Sequence, residues 1–307
     1  MRYKCEDRRV TPPYVPDYVA VGHVTVDLRP DGDAVLGGSA LYAALAAARF
    51  GLRAAVLTRG NYTSHGDEIT AMLARFAGEF EIIVQGAGAP TTFTNQQVAG
   101  RRRQTVHQWA GPIDLNGLPP HWRSARIIHL APVAQEIDYR QAGRLSPSYL
   151  GITPQGWMRQ WPSAGGLVTL RPLRLPPELL SRTDALVLNS EEETLARDEV
   201  NAVSRRGLVA ITRGGAGVEI TDRGQSMTIP AFPVHAVDDL GAGDVFAAVL
   251  FLLRAEHEPV GRAGRMAAAA AALRVTRSGP GGVPRRDEVE AFMREFETAE
   301  GTRRPIR

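Results

Sequence analysis

The chain has 307 residues, 44% of them hydrophobic and 22% charged, enough to bury a full core and typical of a globular protein. Its net charge of +3 comes almost wholly from scattered arginine, Lys4 being the single lysine, and the densest run, Arg101 to Arg103, is too short for a nucleic-acid-binding arm. The lone Cys5 excludes an intrachain disulfide and a cysteine-cluster metal site, and no apolar run reaches the roughly 18 residues of a membrane span. Met1 to Val10 is charged, unlike a secretory signal, so a cytoplasmic protein without nucleic-acid or membrane partners is expected. With so little lysine there is no G-x-x-x-x-G-K-[ST] loop, and any phosphate would be held by amides, arginine or metal.

In chain order, Tyr18 to Leu28 reads as the first strand and Ser39 to Phe50 as an alanine-rich helix closed by Gly51. Arg53 to Thr58 is the next strand, Asp67 to Phe76 a helix and Phe80 to Val84 a further strand. Thr91 to Val98 and Gln104 to Trp109 are β-rich and flank Gly100 with no helix between them, which predicts an antiparallel hairpin. After Gly111 to Pro120, strands are read at Ala125 to Leu130, Tyr149 to Thr153 and Ala185 to Leu188. Short strands follow at Leu208 to Thr212, Gly217 to Thr221 and Ser226 to Ile229, and then helices at Gly241 to Arg254, Arg262 to Arg277 and Arg286 to Phe296. Apolar strands alternating with amphipathic helices predict an α/β protein with a mainly parallel sheet. No repeat or linker divides it, so one domain over 1–307 is expected, with 91–109 as a small β-hairpin lid or dimer element.

The stretch Val237 to Phe246 carries the most chemistry. Gly241, Ala242 and Gly243 lead straight into a helix whose first amides lack partners, and glycine lets an anion approach that dipole-favoured tip. Asp244 sits in the first turn, within reach of a hydroxyl beside the same anion. A base next to an amide cradle is what phosphoryl transfer to an alcohol requires. Read alone, the four residues are also a glycine-containing helix start with a dipole-favoured acid.

The segment resembles the C-terminal signature D-T-x-G-A-G-D of the ribokinase/PfkB family of carbohydrate kinases, with Asp238 at its first position and Asp239 and Leu240 replacing the usual pair. Three further motifs stand in family order: Gly37-Gly38 before the alanine-rich helix, Asn189-Ser190-Glu191-Glu192 as N-x-x-E, and Thr212 to Gly217 as T-x-G-x-x-G. The Gly279 to Pro284 loop is also similar, so the resemblance runs over about residues 18–298. It implies a three-layer α/β/α sandwich around a mainly parallel sheet, and an ATP-dependent kinase acting on a hydroxyl of a sugar or polyol. Asp244 would be the general base, and the amides of Gly241, Ala242 and Gly243 the anion hole. Glu192 with Asn189 would organise Mg²⁺ and its waters. Asn189, Thr212, Gly214 and Gly217 would line the nucleotide, with Gly279 and Gly282 flanking adenine. Asp27, at the end of the first strand, would take two acceptor hydroxyls, with Gly37, Gly38, Tyr42 and Asn95 beside it. Without the resemblance, Glu192 reads as a helix start, Asp27 as a strand-end cap, and the glycines as turn residues.

The chain departs from the family in places. Ser39 and Tyr42 replace the lysine and asparagine of ribokinases proper, which argues against ribose itself. Thr153-Pro154-Gln155-Gly156 stands where an Asp-Pro pair is expected and removes one carboxylate; together with G-G-S-A-L-Y this resembles the inositol-kinase branch. Asp27 and Gly37 lie so close in sequence that the lid is expected to shrink to the hairpin. A monovalent-cation site near Asp238, which some relatives have, stays open, as do monomer and homodimer. Nucleoside remains a second acceptor class, and a catalytically weak sugar or nucleotide sensor on the same fold an alternative. Gly22-His23-Val24 after the first strand lacks the G-x-G-x-x-G of a dinucleotide enzyme.

Overall fold

Alternation of side chains along the central strands sets the architecture. The computed structural model describes residues 15–29, 32–98 and 101–303, except the side chains of 97, 98, 101, 102 and 299–303. Lys4, Cys5, the N-terminal stretch read for a signal, Gly100 and the side chains of Arg101 and Arg102 therefore lie outside the described residues. The strands are β1 (Tyr18–Val21), β2 (Thr25–Leu28), β3 (Ala34–Gly37), β4 (Ala54–Gly60), β5 (Glu81–Gly86), β6 (Thr92–Val98), β7 (Arg101–Gln108) and β8 (Ile127–Leu130). They continue with β9 (Tyr149–Ile152), β10 (Arg159–Gln160), β11 (Gly166–Leu167), β12 (Thr169–Leu170), β13 (Ala185–Asn189), β14 (Leu208–Thr212), β15 (Val218–Asp222) and β16 (Gln225–Ile229). The helices are α1 (Ser39–Arg49), α2 (Gly66–Phe76), α3 (Pro120–Arg123), α4 (Tyr139–Ala142), α5 (Gln155–Met158) and α6 (Pro177–Leu180), followed by α7 (Ser190–Glu193), α8 (Arg197–Ser204), α9 (Ala242–Ala255), α10 (Val260–Val275) and α11 (Arg286–Arg303).

Nine strands form one sheet in the order β16-β15-β14-β13-β9-β8-β1-β4-β5, parallel from β14 to β5 and antiparallel at the β14-β15-β16 edge. Tyr18 and Ala20 face one core with Ala54, Val56, Val187 and Ala210, packed under α1, α2, α9, α10 and α11. Val19 and Val21 face the other with Ala55, Leu57, Ile128, Leu188 and Val209, covered by the short helices of the middle of the chain. This is a three-layer α/β/α sandwich, because near-continuous apolar strands need cover on both faces.

Helix α9 is apolar on every side and buried from Val245 to Leu253, lying between α1, α10 and the sheet. Phe251 meets the His129 ring edge-on at 4.9 Å, and truncating it would cost about 3–5 kcal/mol. The helix tip is therefore held by a rigid base.

The β insertion is larger than the 91–109 hairpin expected from sequence. The hairpin of β6 and β7 joins β2, β3 and β11 in a five-stranded sheet ordered β11-β7-β6-β2-β3. The single first strand expected over Tyr18 to Leu28 is two strands. After Val21 the chain leaves the central sheet, the His23 amide donates to Glu136 Oε1 at 2.8 Å and the Val24 amide to Thr58 Oγ1 at 2.8 Å, and pairing resumes in the small sheet at Thr25. The short segment after Asp27 still completes a hairpin, with Asp27 opposite Val35 and Thr25 opposite Gly37. Phe93 and Val106 close this sheet over Val133 and Ala134.

Candidate active site

The expected site residues gather beyond the carboxyl ends of the parallel strands, where β1, β8, β9, β13 and β14 hand over to loops, as open α/β sheets favour. Two cavities open there, and the tip of α9 stands between them. Gly241 and Asp244 line one, and Ala242 and Gly243 line the other.

Gly241 caps α9 in the left-handed conformation, φ 78°, and a Cβ there would lie 2.4 Å from the Tyr42 ring, so glycine is required on both counts. The first regular helix bond runs from the Val245 amide to the Gly241 carbonyl at 2.9 Å, which leaves the earlier amides to the helix tip. The middle one is shared: Ala242 N–H donates a long 3.3 Å bond to the Asp239 carbonyl. Asp244 lies in the first turn, and its charge acts on both Tyr18 and Glu192 beneath it.

The first cavity is small and polar, about 70 Å³, and is also lined by Thr25, Asp27, Ser39 and Gln104. Asp27, on β2, is nearly buried and accepts from Asn95 Nδ2 at 3.1 Å, while Gln104 Nε2 donates to Asn95 Oδ1 at 3.0 Å. A Cβ at Gly37 would stand 2.0 Å from Asp27 Oδ2, so Gly37 makes room for that carboxylate rather than lining the cavity, whereas Gly38 lines it. Tyr42 lines this cavity as well. Its ring packs beneath Gly241, its oxygen accepts from Arg274 at 3.2 Å, and burial pushes its pKa up to about 12. Gln155 and Arg159 are among several lining residues that sequence alone did not assign to the site. Gln155 donates to Ser39 Oγ at 2.6 Å and accepts from Arg159 at 2.6 Å, so a guanidinium reaches the place where only the loss of a carboxylate was read.

The second cavity is about 450 Å³ and mainly apolar. Thr212, Gly214 and Gly217 line it as expected, but its walls are Phe232, Val234, Ala268, Ala271, Ala272 and Val275. Asn189, Gly279 and Gly282 are not among its lining residues. Gly279 instead donates its amide to Asp238 Oδ2 at 2.9 Å, and Gly282 is buried against Arg277, so both shape the loop behind the cavity. The small side chains at 268, 271, 272 and 275 recur at helical spacing and were the available sequence signal for this wall.

The N-x-x-E motif forms a capping box at α7: Asn189 Oδ1 accepts the amides of Glu191 and Glu192, each at 2.9 Å, and Glu192 Oε2 accepts the Asn189 amide at 3.0 Å. Asn189 thus spends its oxygen on the helix, which does not fit a metal ligand. Glu192 does fit a hard cation. Burial raises its carboxyl pKa, partly offset by the Asn189 amide and Arg159, and the Asp244 charge raises it further. Glu192 lines neither cavity, but the Asp244 charge reaches it, and two neighbouring carboxylates suit the oxygen chemistry of Mg²⁺, although among the described residues no three acidic or histidine groups converge on one point. A monovalent cation does not fit at Asp238, because its carboxylate already binds Arg274 at 3.2 Å and the amides of Leu240 and Gly279. No helix among the described residues is long and apolar enough to cross a membrane.

The sequence profile of the pfkB family carbohydrate kinases matches residues 177–286. The ribokinase of Bacillus subtilis (strain 168) is 34% identical over 128 residues, covering 40% of this chain and 43% of that protein, so the match spans less than half of the relative. Among solved structures, a pyrophosphate-dependent kinase in the ribokinase family, complexed with a pyrophosphate analog and myo-inositol, superimposes with a TM-score of 0.74 at 19% identity over 89% of this chain and 99% of that one. The ribokinase of Arabidopsis thaliana complexed with ribose and ATP gives 0.68 at 18% identity over 91% and 99%. The fold is thus shared with ribokinase-family structures along nearly the whole chain, and the likeness to the pfkB family carbohydrate kinases in sequence falls on the part that carries the helix tip.

Proposed function

We propose that this protein is an ATP-dependent kinase that transfers the γ-phosphoryl group to a hydroxyl of a small sugar or polyol. The observation that carries this reading is the position of the α9 tip as the wall between a polar and an apolar cavity. In it, Asp27 orients the acceptor and Asp244 takes the proton from the attacking hydroxyl. The amides of Gly241 and Gly243, with the helix dipole, meet the charge of the transferring phosphoryl, while Ala242 contributes only part of its N–H. Arg159 adds positive charge from the acceptor side. Mg²⁺ bound with the nucleotide would neutralise phosphate charge, with Glu192 holding its waters.

Donor and acceptor class follow from the linings. Pyrophosphate has no apolar part, whereas an adenine ring would bury itself against Phe232, Val234 and the alanines of α10, so ATP is favoured over the donor of the pyrophosphate-dependent neighbour. The small acceptor cavity favours a monocyclic polyol or sugar over a nucleoside. The test is a panel of sugars, polyols and nucleosides with Mg²⁺ and either ATP or pyrophosphate, followed by phosphorus NMR of the product. Turnover with ATP and a small polyhydroxy acceptor, abolished in Asp244→Asn, is expected. Binding without turnover by the intact protein would leave a sensor instead, and turnover with pyrophosphate alone would overturn the donor.

A further inference from the structure

Beneath the helix tip lies a charge that the reaction itself does not use. Arg274, in the last turn of α10, has a side chain with no solvent exposure. One terminal nitrogen donates to the Asp238 carboxylate and to the Tyr42 hydroxyl, each at 3.2 Å. The other donates to the Asp238 carbonyl at 3.3 Å and to the Arg277 carbonyl. The guanidinium also stands over the Tyr42 ring, 5.1 Å from its centre. Backbone carbonyls, a carboxylate and a phenol are thus collected around one buried positive charge.

We propose that Arg274 is a built-in counter-charge that takes the place of a monovalent cation at the 238–241 turn, so that this protein neither binds nor needs such an ion. This rests on the kinase reading only for its activity arm. Three observations carry it. First, the oxygens are spent: Asp238 Oδ1 accepts the Leu240 amide at 3.0 Å, and Oδ2 accepts both Gly279 and Arg274. Second, the loop supplies fewer acceptors than the guanidinium has donors, since Arg274 Nε–H has no partner among the described residues. A site short of oxygens has none to give an ion, and a second cation there would face the first at low dielectric. Third, the wiring leads to the cradle. Asp238 holds the Leu240 amide, Leu240 precedes the left-handed Gly241 cap, and the Tyr42 ring that Arg274 covers packs under that same cap. Arg274 is therefore a positioning residue for the amides that meet phosphate, and the C-terminal end of α10 favours its charge.

Two measurements decide it. Thermal unfolding of the intact protein is followed while KCl replaces choline chloride at constant ionic strength. The midpoint is expected to stay unchanged, because an ion that bound the folded state would raise it with concentration; a saturable, K⁺-specific rise overturns the proposal even if no phosphotransfer is ever found. Phosphotransfer is then compared in the same salts for the intact protein and for Arg274→Gln and Arg274→Lys. Equal rates in K⁺ and choline are expected for the intact protein. Arg274→Gln should lose about 10²-fold through a misplaced cradle and regain part of it with added guanidinium ion or K⁺, with Arg274→Lys in between. K⁺ activation of the intact enzyme, or a soluble Arg274→Gln protein that keeps full activity in choline, overturns it. Absence of turnover in every salt would instead strike the kinase reading and leave the unfolding result to decide the cation question.

Discussion

The two cavities are built from different stretches of the chain and by different chemistry. Apart from the turn into α9, the polar one draws its lining from residues 25–159, Thr25, Asp27, Ser39, Gln104, Gln155 and Arg159 among them, while the apolar one draws its lining from residues 212–275. They share only the turn at 239–244. The family profile falls on 177–286, so it reports on the apolar side and the helix tip and leaves the polar side almost unsampled. Under the proposed reading, sequence likeness here would speak for how a donor is held more than for which alcohol is taken.

The comparison breaks most sharply at the shared turn. Asp244→Asn should lower turnover by roughly 10²–10⁴ while ATP still binds by calorimetry, because the base is lost and the apolar walls are untouched. Unchanged turnover would dissolve the link between the cavities. Asp27→Asn should act on one side only: losing a charged hydrogen bond of about 1.5–3 kcal/mol raises the acceptor KM by roughly 10- to 150-fold with the ATP KM constant. The mirror experiment is Ala271→Phe, which fills the apolar cavity. A packing cost of about 1–3 kcal/mol should raise the ATP KM roughly tenfold or more and leave the acceptor KM alone. An equal effect on both constants in either variant would mean that the cavities are one site.

The last effect concerns stability alone and leaves turnover untouched. His129 accepts or donates at Tyr18 at 2.8 Å and Thr153 at 3.0 Å, and burial lowers its pKa from 6.5 to about 3. Between those values the unfolded chain binds a proton that the folded chain refuses. This contribution to stability is therefore complete above pH 6.5 and is lost progressively as pH falls toward 3. Urea midpoints measured across that window should fall with acidification, and His129→Gln should flatten the slope.

Local patterns were readable in advance, and distant pairings were not. The α9 signature is a helix start with its own dipole and glycines, legible as such in four consecutive residues, and its order with three other motifs gave it chemical weight. The strand and helix series was readable for the same reason, since periodicity is a property of short windows. The small sheet was not, because β2 pairs with β6 across more than sixty residues and β11 is only two residues long. Gln155 and Arg159 were visible as letters, but their turn toward Ser39 and Val133 depends on α5 docking against the loop after β8. Arg274 looked like one more arginine at a helix end. Its burial follows from the approach of α1, far from it in sequence, and from the way the following 279–282 loop folds back.

The break between β1 and β2 has a mechanical consequence. Asp27 rides on the small sheet, tied to Asn95, while Asp244 is anchored in the body through α9, and residues 22–24 are the span between β1 and β2. A few degrees of tilt about that span would carry Asp27 toward or away from Asp244. Under the proposed kinase reading, alignment of an alcohol with its base would then be a property of the angle between two sheets, and a molecule too small to bridge both acids would leave them out of register.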